Sequence, residues 1–115
     1  MAKNPFVDGP PQPWPAARAT ERIWQLARGV YALVITTHAR EQLGKRSLIL
    51  GDALHVMKVG HIYDEAEIST QPGLYKYKME SSTPNSHSRT LRVVVVPCAS
   101  KSLLKIITVM WRDED

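Results

Sequence analysis

A chain of 115 residues has room for one modest hydrophobic core and not for two domains. Its apolar fraction of 43% excludes disorder throughout, and no apolar run approaches the roughly 18 to 20 residues a membrane helix needs. A formal charge of +4 leans towards anionic partners, nucleic acid among them, without selecting one.

Residues 1–15 contain Pro5, Pro10, Pro11, Pro13 and Pro15. Proline removes amide donors and restrains its predecessor, so this stretch is expected to be an extended arm anchored by Phe6 and Trp14. No apolar run precedes the prolines, so no secretory signal is expected. Cys98 has no cysteine partner, and a cytoplasmic location fits both features. Across 16–31 an added N-terminal helix is expected. Ile23, Leu26, Ala27 and Val30 recur at helical spacing, and Gly29 marks the stop. Trp24 either packs on the body or docks a partner.

Tyr31–Thr36 reads as a first strand, running into a short helix that ends around Gly44–Ser47. Thr36 and Thr37 are both possible caps, with Thr37 able to accept from the first-turn amides, and Ala39 and Leu43 form an apolar line. Leu48-Ile49-Leu50 is expected to be buried. Gly51-Asp52 opens a second short helix, with Asp52 as cap or first-turn acid, and Gly60 ends it. Ile62–Thr70 reads as one strand, followed by the Gln71-Pro72-Gly73 turn. Leu74–Glu80 alternates, with Lys76, Lys78 and Glu80 on one face. A polar loop over 81–88 precedes strands at Leu91–Val96 and Leu103–Trp111. The order predicts an α+β domain over 32–112, with N-terminal helices packed on one face of a mainly antiparallel sheet. Residues 113–115 form an acidic tail, read as solvated and solubilising.

His38-Ala39, Arg46, Gly51-Asp52-Ala53-Leu54, Val59-Gly60-His61-Ile62 and the strands 91–96 and 106–111 carry a family likeness. On these residues the chain resembles, over about 33–111, a small family of bacterial and phage domains grouped with the RelE/ParE toxin superfamily. The usual Arg-Gly junction after the first helix is Arg46-Ser47 here, which alters the turn. The resemblance implies a RelE/ParE-like fold and a toxin of a toxin–antitoxin system that cleaves RNA or acts on the ribosome. It also implies a cognate antitoxin as partner. Other members of the superfamily poison a topoisomerase, and some have no demonstrated enzymatic role.

Metal-independent RNA cleavage needs a group to deprotonate the ribose 2′-hydroxyl, a cation for the phosphorane and an acid for the leaving oxygen. Histidine serves either proton transfer, and arginine presents paired donors to phosphate oxygens. His38, Arg46 and Arg92 are the candidate catalytic set; Lys76, Lys78, Arg40, Arg89 and His87 are the candidate substrate-binding set. Each has a plainer reading. His38 also suits a helix cap, Arg46 suits pairing with Glu41 or a sheet carboxylate, and the lysines suit a solvated strand face. His55 and His61 lack a metal-binding spacing, and no phosphate loop or cofactor signature is present, so no metal and no cofactor are expected. The alternative function is a non-catalytic protein-binding module whose arm and first helix dock a partner. A DNA-binding regulator lacks a basic recognition helix.

Overall fold

A computed structural model describes residues 11–114. Phe6 and Asp115 therefore lie outside the described residues. Pro15 starts helix α1 (Ala16–Arg28), its carbonyl accepting the Ala19 amide at 2.8 Å. The preset φ of proline suits that turn, and Gly29 ends the helix as its spacing predicts. The apolar side of α1 (Ala19, Ile23 and Ala27) is buried in one cluster with Ala53, Val56 and Met57. Its small residues let α1 lie close to the third helix. Helix α1 is thus built into the core and does not merely decorate it. Trp14, 4% exposed, stacks on Tyr77 with ring centroids 5.8 Å apart. The Tyr77 hydroxyl accepts the Trp14 amide, and Gln12 bridges the Tyr75 amide and the Pro97 carbonyl. Burial pushes the Tyr77 phenol above its ordinary pKa.

Strand β1 (Ala32–Ile35), helix α2 (Thr37–Lys45) and helix α3 (Leu50–Val59) follow. The cap of α2 is Thr36, not Thr37: its hydroxyl oxygen accepts the Ala39 amide at 3.1 Å. Thr36 is the last residue in extended conformation, and that is what aims its side chain back over the first turn. Ser47 takes φ +54, the left-handed conformation that a glycine after Arg46 would adopt without strain. Leu48 is buried, but Ile49 is 65% exposed, because the chain must turn outward there to start α3.

The segment expected as one strand from Ile62 is two. Strand β2 (His61–Ile62) and strand β3 (Glu67–Ile68) both pair with β4 (Tyr75–Ser81). Ile62 faces Met79 and Glu67 faces Lys76, so residues 63–66 stand opposite only residues 77–78 and must loop out. Five strands thus follow the helices instead of four. Strand β5 (Leu91–Cys98), a 3-10 turn (Ala99–Lys101) and strand β6 (Leu103–Trp111) complete the chain. The sheet order is β1-β6-β5-β4-β2, with β1 parallel to β6 and the other pairs antiparallel. The fold is α+β, with N-terminal helices against a mixed, mostly antiparallel sheet.

A bulge in β6 organises the helix-bearing edge. Val94 pairs with Thr108 and Val95 with Ile106, leaving Ile107 as the extra residue. β1 stops pairing at Ile106, and α2 takes over the edge beyond it. The Gln42 side-chain oxygen accepts the Val109 amide at 2.8 Å, a bond a neighbouring strand would otherwise make. This hand-over aims the end of α2 at the end of β6.

Candidate functional site

Arg46, the residue after α2, reaches the turn that follows β6. Its Nε and Nη2 donate to the two carboxylate oxygens of Glu114 at 2.7 and 2.6 Å, a planar bidentate fork. Its Nη1 donates to the Gln42 carbonyl, which fixes the guanidinium plane. Glu114 also accepts the Trp111 amide. The Arg46 fork holds the Glu114 carboxyl below the ordinary carboxylate range, against a smaller upward push from burial. Arg89 donates to Asp113 at 2.8 Å, and its guanidinium lies 4.1 Å from the Trp111 ring centroid. The tail read as solvated is therefore tied down by two arginines, because β6 ends within reach of both.

On the opposite sheet face Arg92 donates to Glu80 at 2.8 Å, and Arg112 stands 3.5 Å from the other oxygen of the same carboxylate. Glu80 is only 6% exposed, so this is a substantially desolvated pair. Arg46 and Arg89 thus meet Glu114 and Asp113 on the helix side of the sheet end, while Arg92 and Arg112 meet Glu80 on the other. An open depression lined by Ser88, Arg89, Thr90, Arg112 and Asp113 lies between them.

The loop over residues 82–90 is held at this end by a buried carboxylate. Asp52, in the first turn of α3, accepts the Ile49 amide at 2.9 Å, the Thr83 hydroxyl at 2.7 Å and the Asn85 side-chain amide at 3.2 Å. Burial pushes the Asp52 carboxyl up, but these three donors and the charge of His55 outweigh it and hold the pKa below its ordinary value. Ser86 closes the knot by donating to the Thr83 carbonyl. Beyond it His87 and Ser88 take φ +50 and +70, successive left-handed residues that leave both side chains exposed. Arg89 follows directly.

His38 is exposed on the first turn of α2, eight residues before Arg46, which puts it about 12 Å further along the helix axis. Arg40 is exposed on the same helix. Lys76 and Lys78 share the outer sheet face with Arg92, and Lys78 lies 3.5 Å from Glu67. The structure therefore brings Arg46, Arg89, Arg92 and the His87 loop to one end and leaves His38 at the other end of α2. Sequence reasoning missed Arg112, Glu80, Asp113 and Glu114 as members of this group. For Asp113 and Glu114 the sequence signal is an acidic triplet close behind a strand end. Trp14, Trp24 and Trp111 make separate contacts, with Tyr77, His61 and Arg89.

Residues 35–111 match the family described as a domain of unknown function, DUF4258. The chain belongs to the DUF4258 family. The matched span begins at the last residue of β1 and ends at Trp111, so α1 and the carboxylates of Asp113 and Glu114 fall outside it. Within the DUF4258 span lie Arg46, Asp52, Glu80, His87, Arg89 and Arg92. No curated protein and no solved structure matches the chain. Among the described residues no three His, Cys, Asp or Glu side chains are grouped so as to hold a metal ion, and no helix is long and apolar enough to cross a membrane.

Proposed function

We propose that this DUF4258 protein is an RNA-directed toxin of a toxin–antitoxin system, a metal-independent endoribonuclease that acts on free or ribosome-bound RNA. The RelE/ParE-like resemblance motivates that class. The observation that carries the reading is the arginine-bearing sheet end. Arg46 and Arg89, paired here with Glu114 and Asp113, lie beside a loop that holds His87 outward. Paired arginine donors match the non-bridging oxygens of a phosphodiester, and a cation there offsets charge gathering on the phosphorane.

In this scheme His87 takes the proton from the ribose 2′-hydroxyl. The 2′-oxygen bonds to phosphorus, the P–O5′ bond breaks, and the 5′-oxygen leaves with a proton from water or the imidazolium. The products are a 2′,3′-cyclic phosphate and a 5′-hydroxyl. His87 replaces His38 as the base because it shares an end of the molecule with the arginines. A cognate antitoxin would cover this same end.

Purified protein incubated with labelled RNA in EDTA, with and without ribosomes, should release fragments bearing cyclic phosphate ends. His87→Ala and Arg46→Gln should abolish release, and His38→Ala should retain it. Cleavage by a folded His87→Ala protein at the wild-type rate overturns the base assignment. No cleavage under any of these conditions overturns the enzymatic reading.

Tyr63 and Ile68, 71% and 79% exposed beside the β2–β3 edge, favour a second reading as a non-catalytic protein-binding module. Partner capture lost on Tyr63→Ser with Ile68→Ser, and kept on Arg46→Gln, would support it. Deleting residues 1–30 is no fair test, because it would strip Ile23 from the core.

A further inference from the structure

We infer that the Nε–Nη2 edge of Arg46 is a preformed phosphodiester subsite, filled from within the same chain by Glu114. This rests on the reading that the arginine-bearing end takes RNA phosphate, and it adds how that site is guarded.

The carboxylate of Glu114 presents two oxygens to one guanidinium edge at 2.7 and 2.6 Å, the arrangement that two non-bridging phosphate oxygens would take. The remaining nitrogen of Arg46 is spoken for by Gln42 on the rigid helix. When Glu114 leaves, the fork therefore keeps its orientation and stays available. What leaves is slight: Glu114 lies on the turn after β6, 30% exposed at its side chain, whereas Arg46 is 17% exposed. The turn's other ion pair, Arg89 to Asp113, joins side chains 47% and 68% exposed, and such pairs contribute little. The occupant is thus held by the fork and by the Trp111 amide that donates to the same carboxylate, while the receptor is held by α2. Release of the turn frees Arg46 and Arg89 together, doubling the cationic donors offered to a backbone. Arg92 behaves differently, because its partner Glu80 is a buried strand residue that cannot swing away.

The test uses the full chain, a fluorescent single-stranded RNA oligonucleotide and inorganic tripolyphosphate. Glu114→Gln removes the charge of the occupant. Glu114→Asp keeps the charge but shortens the side chain so that it no longer spans the fork. Asp64→Asn is the control, removing one exposed carboxylate after β2 at the other side of the sheet. Both Glu114 variants should tighten binding of either probe by about tenfold, a factor equivalent to about 1.4 kcal/mol. Asp64→Asn should change it less than twofold, and Arg46→Gln combined with Glu114→Gln should cancel the gain.

Equal affinities for wild type, Glu114→Asp and Asp64→Asn would overturn the inference, and with RNA still bound they would leave the RNA reading standing. Gains confined to tripolyphosphate, with no variant binding RNA, would support the guarded subsite and overturn RNA as its ligand.

Discussion

Gln42 accepts the backbone amide of Val109 at 2.8 Å, so a helix side chain completes a sheet edge that the departing strand leaves open. The bond spans 67 positions in sequence and fixes where α2 points. Gln42→Leu keeps most of the volume but removes the acceptor, stranding a partly buried N–H. It should lower stability by about 1–3 kcal/mol. Urea unfolding checks this; an unchanged midpoint would mean that water satisfies Val109 as well as Gln42 does.

Asp52 should govern the acid limb of stability together with Glu114. Both carboxyls have folded-state pKa values below their ordinary ones, so each contributes stability above the unfolded-state value. That contribution is lost as pH falls through the lowered folded-state pKa, in a window below about pH 4. Asp52→Asn should therefore cost about 1–2 kcal/mol at pH 7, and its deficit should shrink on acidification below that window. Paired denaturation curves at pH 7 and pH 3 measure it. A deficit that stays constant would remove the carboxylate from the acid response.

Gly60 ends α3 where the chain squeezes past β4. A Cβ there would sit 2.5 Å from the Val56 carbonyl oxygen and 2.9 Å from that of Glu80. Both are backbone atoms that cannot rotate aside. The Gly60 carbonyl also accepts the Trp24 indole N–H at 2.8 Å. Gly60→Ala should cost about 3 kcal/mol, a fall in melting temperature on the order of 10 °C. A melting temperature within a degree or two of wild type would contradict this packing.

Ser47 pays for a left-handed backbone with no compensating glycine, since its φ is +54. Ser47→Gly should raise stability by about 0.5–1 kcal/mol, the αL strain relieved exceeding the added unfolded-state entropy. Ser47→Ala, which keeps the Cβ, should not. Thermal melts of the two variants side by side decide the matter, and a destabilised Ser47→Gly protein would argue against strain at this turn.

Helical spacing over Ala16–Arg28 and the alternation in Leu74–Glu80 were readable because they depend on residues a few positions apart. Asp52 was readable as a first-turn acid for the same reason. Its bond to Thr83, 31 positions away, was not. The division of 62–70 into two strands also escaped, because local propensity does not say how many residues of β4 are available to pair. His38 and Arg46 stand together in the family likeness, as its His-Ala pair and later arginine. On a helix, however, eight residues set two Cα atoms about 12 Å apart along the axis, and the tertiary contacts of the Arg46 end bring the 82–90 loop there instead.

The amino-acid sequence by itself determined the α+β composition, the meander of the last three strands and the supply of arginines and imidazoles, since these follow from local periodicity and residue chemistry. Only the tertiary structure decided which of them meet. The parallel return of β1 onto β6, the bulge at Ile107 and the knot at Asp52 turn Arg46, Arg89 and the His87 loop towards one sheet end. Those contacts join residues far apart in the chain, and their geometry exists only once the sheet has closed its register.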